Sequence, residues 1–242
     1  MDGMISVRPR AVAGVVCVLL SAALGACRVN PTSPDMENTA EGKACPPEAR
    51  LEDGEDGNNQ VLVQDGRSGY IYTYADPSGT SITPAGGGVF TMSPGGANGS
   101  QYALHMSGQL GGGSLVFAAM GMNFADPKGP YDASKYQGIS FYAKKGPGTT
   151  SKLIIKVADK NTDPDGGVCA ACSNDFGMAL SLSEEWQRYI VPFKALRQES
   201  GWGNPRPRSV DTSAVFAVQF QVKEKGKAFD VWVDDLAFTG CP

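Results

Sequence analysis

Near the end of the chain, the run Phe229-Asp230-Val231-Trp232-Val233-Asp234-Asp235-Leu236-Ala237-Phe238 alternates as only a strand does. Successive strand residues point to opposite faces, so Val231 and Val233 turn one way while Trp232 and Asp234 turn the other. The preceding stretch repeats the scheme, with Val218, Phe220 and Val222 on one side and Gln219 and Gln221 on the other. Lys225-Gly226-Lys227 between the two runs reads as a short hairpin connection. Two half-buried strands require a sheet that covers a core. Similar runs occur at Val61–Val63, Tyr70–Tyr74, Gln101–Met106, Leu115–Met120, Gly138–Lys144, Lys152–Ala158 and Trp186–Phe193. Turn clusters such as Pro94-Gly95-Gly96-Ala97-Asn98-Gly99 separate them. No stretch holds the helical period for three turns. With 31 Gly and 16 Pro in 242 residues, the expectation is an all-β chain, an antiparallel jelly-roll β-sandwich.

The first residues have a different character. Arg8 and Arg10 precede an apolar stretch from Ala11 to Ala23, too short to span a bilayer. It ends in Leu24-Gly25-Ala26-Cys27, which resembles the lipobox of bacterial lipoproteins. That resemblance implies a signal peptide over 1–26 and acylation of Cys27. It places the protein in the bacterial cell envelope, held to the outer membrane or cell surface by lipid alone, because Arg28 is not the Asp that marks inner-membrane retention. Residues 27–60 are poor in large apolar side chains and are expected to form a flexible tether reaching roughly 30 Å. The acidic stretch Glu48–Gly57 is read as part of that solvated spacer. The folded domain is placed at 61–242.

Within that domain, Tyr136–Lys144, Glu185–Phe193 and Phe229–Phe238 with its Asp-Asp pair follow one another in a telling order. Together with Val63-Gln64-Asp65-Gly66 and Thr80–Pro84, they resemble the landmarks of the galactose-binding-like jelly rolls. Among these, the sequence is similar to carbohydrate-binding modules of family 11 and related domains of bacterial surface lipoproteins. The resemblance implies non-catalytic polysaccharide binding on a concave sheet face. It also implies a structural calcium, for which Asp65 and Asp235 are the residues that fit, and no other cofactor. Cys169-Ala170-Ala171-Cys172 departs from the family pattern.

The residues themselves narrow the function. A net charge of −4 and the lack of any basic run argue against nucleic acid as a partner. The only histidine, His105, sits in a strand pattern, which leaves little for zinc or Ser-His-Asp chemistry. No two glutamates fall at same-face spacing, as a glycosidase pair would require. The chain is therefore expected not to be an enzyme. Sugars are held by aromatic rings against C–H faces and by amides or carboxylates on hydroxyls. On that chemistry the candidate binding residues are Tyr142, Gln219, Gln221, Trp232 and Asp234 on strand faces, with Trp202, Tyr72 and Tyr74 nearer loops. Trp186 and Phe220 are expected in the core. If Trp232 and Tyr142 are instead buried, the alternative is a structural or protein-interaction lipoprotein with no glycan ligand. Cys45, Cys169, Cys172 and Cys241 remain after Cys27, and three disulfide connectivities are open to them. Because sandwich termini often meet, Cys45–Cys241 with Cys169–Cys172 is favoured. Asn161–Gly166 is read as an Asx-rich turn rather than a calcium loop.

Overall fold

The computed structural model describes residues 45–241. The expected signal peptide, Cys27 and the first part of the expected tether lie outside the described residues. The strands are β1 (Arg50–Glu52), β2 (Ile71–Ala75), β3 (Ser81–Thr83), β4 (Ser93–Pro94), β5 (Tyr102–Gln109) and β6 (Ala118–Asn123). They continue with β7 (Gly138–Lys145), β8 (Lys152–Asp159), β9 (Phe176–Ser181), β10 (Gln187–Pro192), β11 (Val215–Val222) and β12 (Ala228–Thr239). One sheet runs β10-β7-β12-β5-β3, with β1 beside β12 and β4 beside β5; the other runs β2-β6-β11-β8-β9. Neighbouring strands are antiparallel throughout. This is the expected jelly-roll sandwich.

The alternation explains the packing. Val218, Phe220 and Val222 of β11 meet Val231 and Val233 of β12 in one core, together with Met120 and Met122 of β6 and Ile139 and Phe141 of β7. Tyr136 stacks on Phe238 with centroids 4.4 Å apart, closing one end of that core.

Three expectations need correction. The runs ending at Val222 and starting at Ala228 do not form a hairpin, because β11 and β12 belong to different sheets and residues 223–227 cross between them. Alternation settles which residues of a strand share a face, not which strand lies beside it. The fold also begins before residue 61. Strand β1 pairs with β12, and Leu51 and Glu52 are fully buried, so the acidic stretch is not all solvated spacer. Arg67 anchors it from beneath: its Nη2 donates to the carbonyls of Glu48 at 2.7 Å and Arg50 at 2.8 Å. Val61–Val63 is not a strand; only the neighbouring Gln60 bridges to Tyr70. The cysteines pair as favoured, Cys45 with Cys241 and Cys169 with Cys172.

Candidate functional site

The outer face of the β2-β6-β11-β8-β9 sheet carries a groove, and strand register shows how it arises. Tyr72 and Tyr74 project outward from β2 opposite Gly121 and Ala119 of β6. Gln219 and Gln221 of β11 lie on the far side of the same Gly121 and Ala119. Beyond them, Gln219 meets Lys156 of β8, and Lys156 meets Gly177 of β9. A row of large, small, amide, long and small side chains therefore crosses the sheet. The small residues sink the floor, and the tyrosines can lean over β6 toward the amides. Tyr74 donates a hydrogen bond to Gln219 Oε1. A Cβ on Gly121 would stand 3.0 Å from both the Tyr72 hydroxyl and Gln219 Cγ, so the floor is close-fitted to glycine.

The cavity above this floor measures about 520 Å³ and is walled by Tyr74, Phe117, Trp202, Lys128, Lys156 and Lys223, among others. Trp202 is 43% exposed and is lifted from its loop by Gly201 and Gly203, both at φ +90. Asn174 fixes that loop, donating to the Trp202 carbonyl at 2.6 Å and accepting from the Glu199 N–H at 2.9 Å. Each lysine in the groove has a carboxylate partner: Lys128 with Asp163 at 2.7 Å, Lys156 with Asp175 at 3.1 Å, and Lys223 with Glu199. The Lys223 ammonium holds the Glu199 carboxyl below its ordinary range, while burial pushes the Tyr72 and Tyr74 hydroxyls up, so both stay neutral donors. The result is an aromatic-walled trough floored by amides, with balanced charge.

Of the residues the sequence singled out, Gln219, Gln221 and Trp202 come together here, and Tyr72 and Tyr74 join them from a strand rather than from loops. Tyr142, Trp232 and Asp234 do not. They belong to the other sheet, on the opposite side of the sandwich. There Trp232 faces His105 on β5 and Lys144 on β7 across the register. His105 stacks on its ring at 3.8 Å, and the Lys144 ammonium lies 5.1 Å from its centre and 4.9 Å from that of Trp186. The indole lies within a cross-strand ladder. Its N–H donates to Asp230 at 2.7 Å, and the same carboxylate oxygen lies 2.9 Å from His105 Nε2. Trp186 belongs to this half-buried ladder and not to the core, whereas Phe220 is core. Asp234 is fully buried, where its carboxylate accepts from the N–H groups of Ala97 and Asp235, each at 2.7 Å. Tyr142 lines a small cavity with Arg188 and Asp235.

The residues picked for calcium do not fit one ion. Asp65 is neutralised by Lys135 at 3.0 Å and by Arg67 at 3.7 Å. Burial opposes its charge, but the Tyr131 hydroxyl and Lys135 outweigh that and lower its pKa. Asp235, at φ 48, marks the bulge in β12 and has none of these partners. Two other carboxylates, Glu52 and Asp234, are fully buried on the paired strands β1 and β12. Burial raises Glu52 to about 8 and Asp234 to about 6, and Glu52 Oε2 has no hydrogen-bond partner. Asp234 lies beside the Tyr102 carbonyl, since a Cβ on Gly96 would come 2.4 Å from that oxygen and 2.8 Å from Asp234 Oδ2; Gly54, whose N–H donates to Glu52 Oε1 at 2.7 Å, borders the same carbonyl, a Cβ there standing 3.2 Å from it. Carboxylates and backbone carbonyls are the donors a hard cation takes; among the described residues, no group of three or more His, Cys, Asp or Glu side chains is placed to hold a metal ion. The Asn161–Gly166 turn is held by Lys128 and by its own Asp163 accepting the Asp165 N–H.

A jelly roll with such a trough on one sheet has the form of a sugar-binding module. Comparison with known proteins agrees. A family model described as carbohydrate binding domain 30 matches residues 90–240. The chain belongs to that family and carries a carbohydrate-binding domain. Among solved structures, the family 11 carbohydrate-binding module from Clostridium thermocellum in complex with a β-1,3-1,4-mixed-linked tetrasaccharide is similar, at 15% identity and a TM-score of 0.56, over 80% of this chain and 95% of that one. The family 30 module of the Clostridium thermocellum cellulosomal cellulase Cel9D-Cel44B is similar at 14% identity and a TM-score of 0.53, over 79% of this chain and 96% of that one. These likenesses speak for the fold. No curated protein matches the chain.

Proposed function

We propose that this domain binds polysaccharide, without catalysis, in the groove between Tyr72/Tyr74 and Trp202. The observation that carries the reading is the row Tyr72–Gly121–Gln219–Lys156, which sets aromatic rings beside amide donors and acceptors over a floor low enough for a pyranose. Rings on the walls take the C–H faces of sugar residues, and Gln219 and Gln221 take hydroxyls. Because such sites leave hydroxyls in competition with water, affinity is expected at about 10–1000 μM. Retention of the protein in native gels containing β-1,3-1,4-glucan tests this, and Gln219→Ala should weaken it about tenfold. If no polysaccharide in a broad array retains the protein, the groove is not a glycan site and a structural or protein-interaction role replaces it.

The reading extends to the cell envelope and to calcium. Acylation at Cys27 would anchor the domain to the bacterial outer membrane or surface, with the intervening chain as tether; loss of palmitate labelling in Cys27→Ala is the expected result. Calcium held by Glu52 and Asp234 would supply structural charge balance rather than chemistry, neutralising two carboxylates that burial otherwise penalises.

A further inference from the structure

At one end of the groove the pattern of charge changes. Inside it, Lys128, Lys156 and Lys223 are all paired with carboxylates. Just beyond Trp202 lie Arg197, Arg206 and Arg208, all exposed. Among the described residues none of the three pairs with a carboxylate. They line a cavity of about 580 Å³ with Gln198 and Pro207. Three unpaired guanidinium groups in one corner are conspicuous on a chain whose net charge is −4. We infer that this corner extends the groove and takes the acidic groups of a carboxylated or sulfated polysaccharide.

Two of the arginines are held in place. Arg197 Nη1 donates to the carbonyls of Lys194 at 2.6 Å and Leu196 at 2.7 Å. Arg206 Nη2 reaches the Glu199 carbonyl at 3.4 Å. Pro205 and Pro207 restrict the backbone on either side of Arg206. Backbone carbonyls occupy part of the Arg197 and Arg206 forks and leave their remaining N–H groups, and the whole Arg208 fork, without an anion. A planar fork with free N–H pairs matches a carboxylate or sulfate with two parallel hydrogen bonds. The corner is also continuous with the groove: Glu199, whose carbonyl Arg206 meets, lines the groove beside Trp202, and Gln198 donates to the Asn174 carbonyl at 2.8 Å. A chain leaving the trough past Trp202 runs onto this cluster.

This inference rests on the groove reading, and one experiment separates the two. The purified full chain is run in native gels containing neutral β-1,3-1,4-glucan, polygalacturonate or a sulfated galactan. Each is tested at about 0.01 M and about 1 M salt, where charges are screened over about 30 Å and about 3 Å. The expected result is tighter retention by an acidic polymer at low salt, weakened about tenfold in the double variant Arg206→Ala, Arg208→Ala, with neutral-glucan retention unchanged. The polyuronate and galactan arms tell a carboxylate from a sulfate. Retention by neutral glucan with no preference for either acidic polymer overturns the inference and leaves the groove reading intact. Equal loss on neutral and acidic polymers in the double variant also overturns it, because the arginines would then only support the loop. Acidic retention that survives Trp202→Ala, with neutral-glucan retention also unchanged, keeps the corner as an acid-binding site and overturns the groove reading.

Discussion

The two outer faces of this sandwich carry similar side chains and do different things with them. Each bears tyrosine or tryptophan beside lysine, with amide or carboxylate groups nearby. On the β10-β7-β12-β5-β3 sheet, Trp232 finds His105 on one neighbouring strand and Lys144 on the other, so its ring contacts are made within the protein. On the β2-β6-β11-β8-β9 sheet, the neighbours of Tyr72 and Tyr74 are Gly121 and Ala119, and Tyr74 borders the open cavity. An outward aromatic offers a platform only when the adjacent strand supplies something small. Residue type alone does not separate a ladder from a groove; the partner across the register does.

Mutations separate the two faces, and the largest effect lies at the chain ends. The Cys45–Cys241 bridge ties β12 to the residues before β1 and closes 196 residues of sequence. In the chain-entropy model its loss costs about 5 kcal/mol. Urea unfolding of Cys45→Ser/Cys241→Ser should show this, while the folded fraction still binds glycan, since the bridge lies away from the groove sheet. Next comes Trp232→Ala, which removes the centre of the ladder. It should cost about 2–3 kcal/mol in the same assay and leave glycan retention unchanged.

Asp76 sharpens the groove side. Its carboxylate, 4% exposed, accepts from Ser78 N at 2.7 Å, Thr80 Oγ1 at 2.5 Å and Phe117 N at 2.9 Å, and from the Ser78 hydroxyl. Burial works against its charge, but these donors overcome it and lower its pKa well below 3.8. The stability it contributes is therefore present above its unfolded pKa and is lost as pH falls through the folded value. Asp76→Asn should cost about 2 kcal/mol near neutrality and flatten the acid limb of a Tm-versus-pH curve; an unchanged limb would place acid sensitivity elsewhere. The smallest change is Gly121→Ala, which crowds Tyr72 and Gln219. It should weaken glycan binding about threefold with under about 1 kcal/mol of destabilisation.

How much of this was legible in the sequence follows from the same contrast. The alternation of Val218, Gln219, Phe220 and Gln221 shows which side chains face out, and the sandwich class follows from many such runs between turns. The terminal cysteines were readable because chain ends meet in such folds. What could not be read was partnership. Gln219 and Trp232 sit thirteen positions apart on runs of the same pattern, and nothing local says that one crossing puts them on opposite sides. What Gly121 and Ala119 do depends on their cross-strand neighbours, tyrosines on one side and amides on the other. Glu52 was lost in an acidic run, since only the pairing of β1 with β12 buries it. A glutamate flanked by Leu51 on a short strand was the available signal.

The most direct test sets the two tryptophans against each other. Calorimetric titration with a β-1,3-1,4-linked glucan tetrasaccharide, on the wild type, Trp202→Ala and Trp232→Ala, compares one ring from each face. Trp202→Ala is expected to weaken binding about tenfold or more, a loss of about 1.4 kcal/mol, with its Tm nearly unchanged, while Trp232→Ala binds as the wild type does despite a lower Tm. Wild-type affinity in Trp202→Ala together with lost binding in folded Trp232→Ala would contradict this, and would move the glycan site to the other sheet.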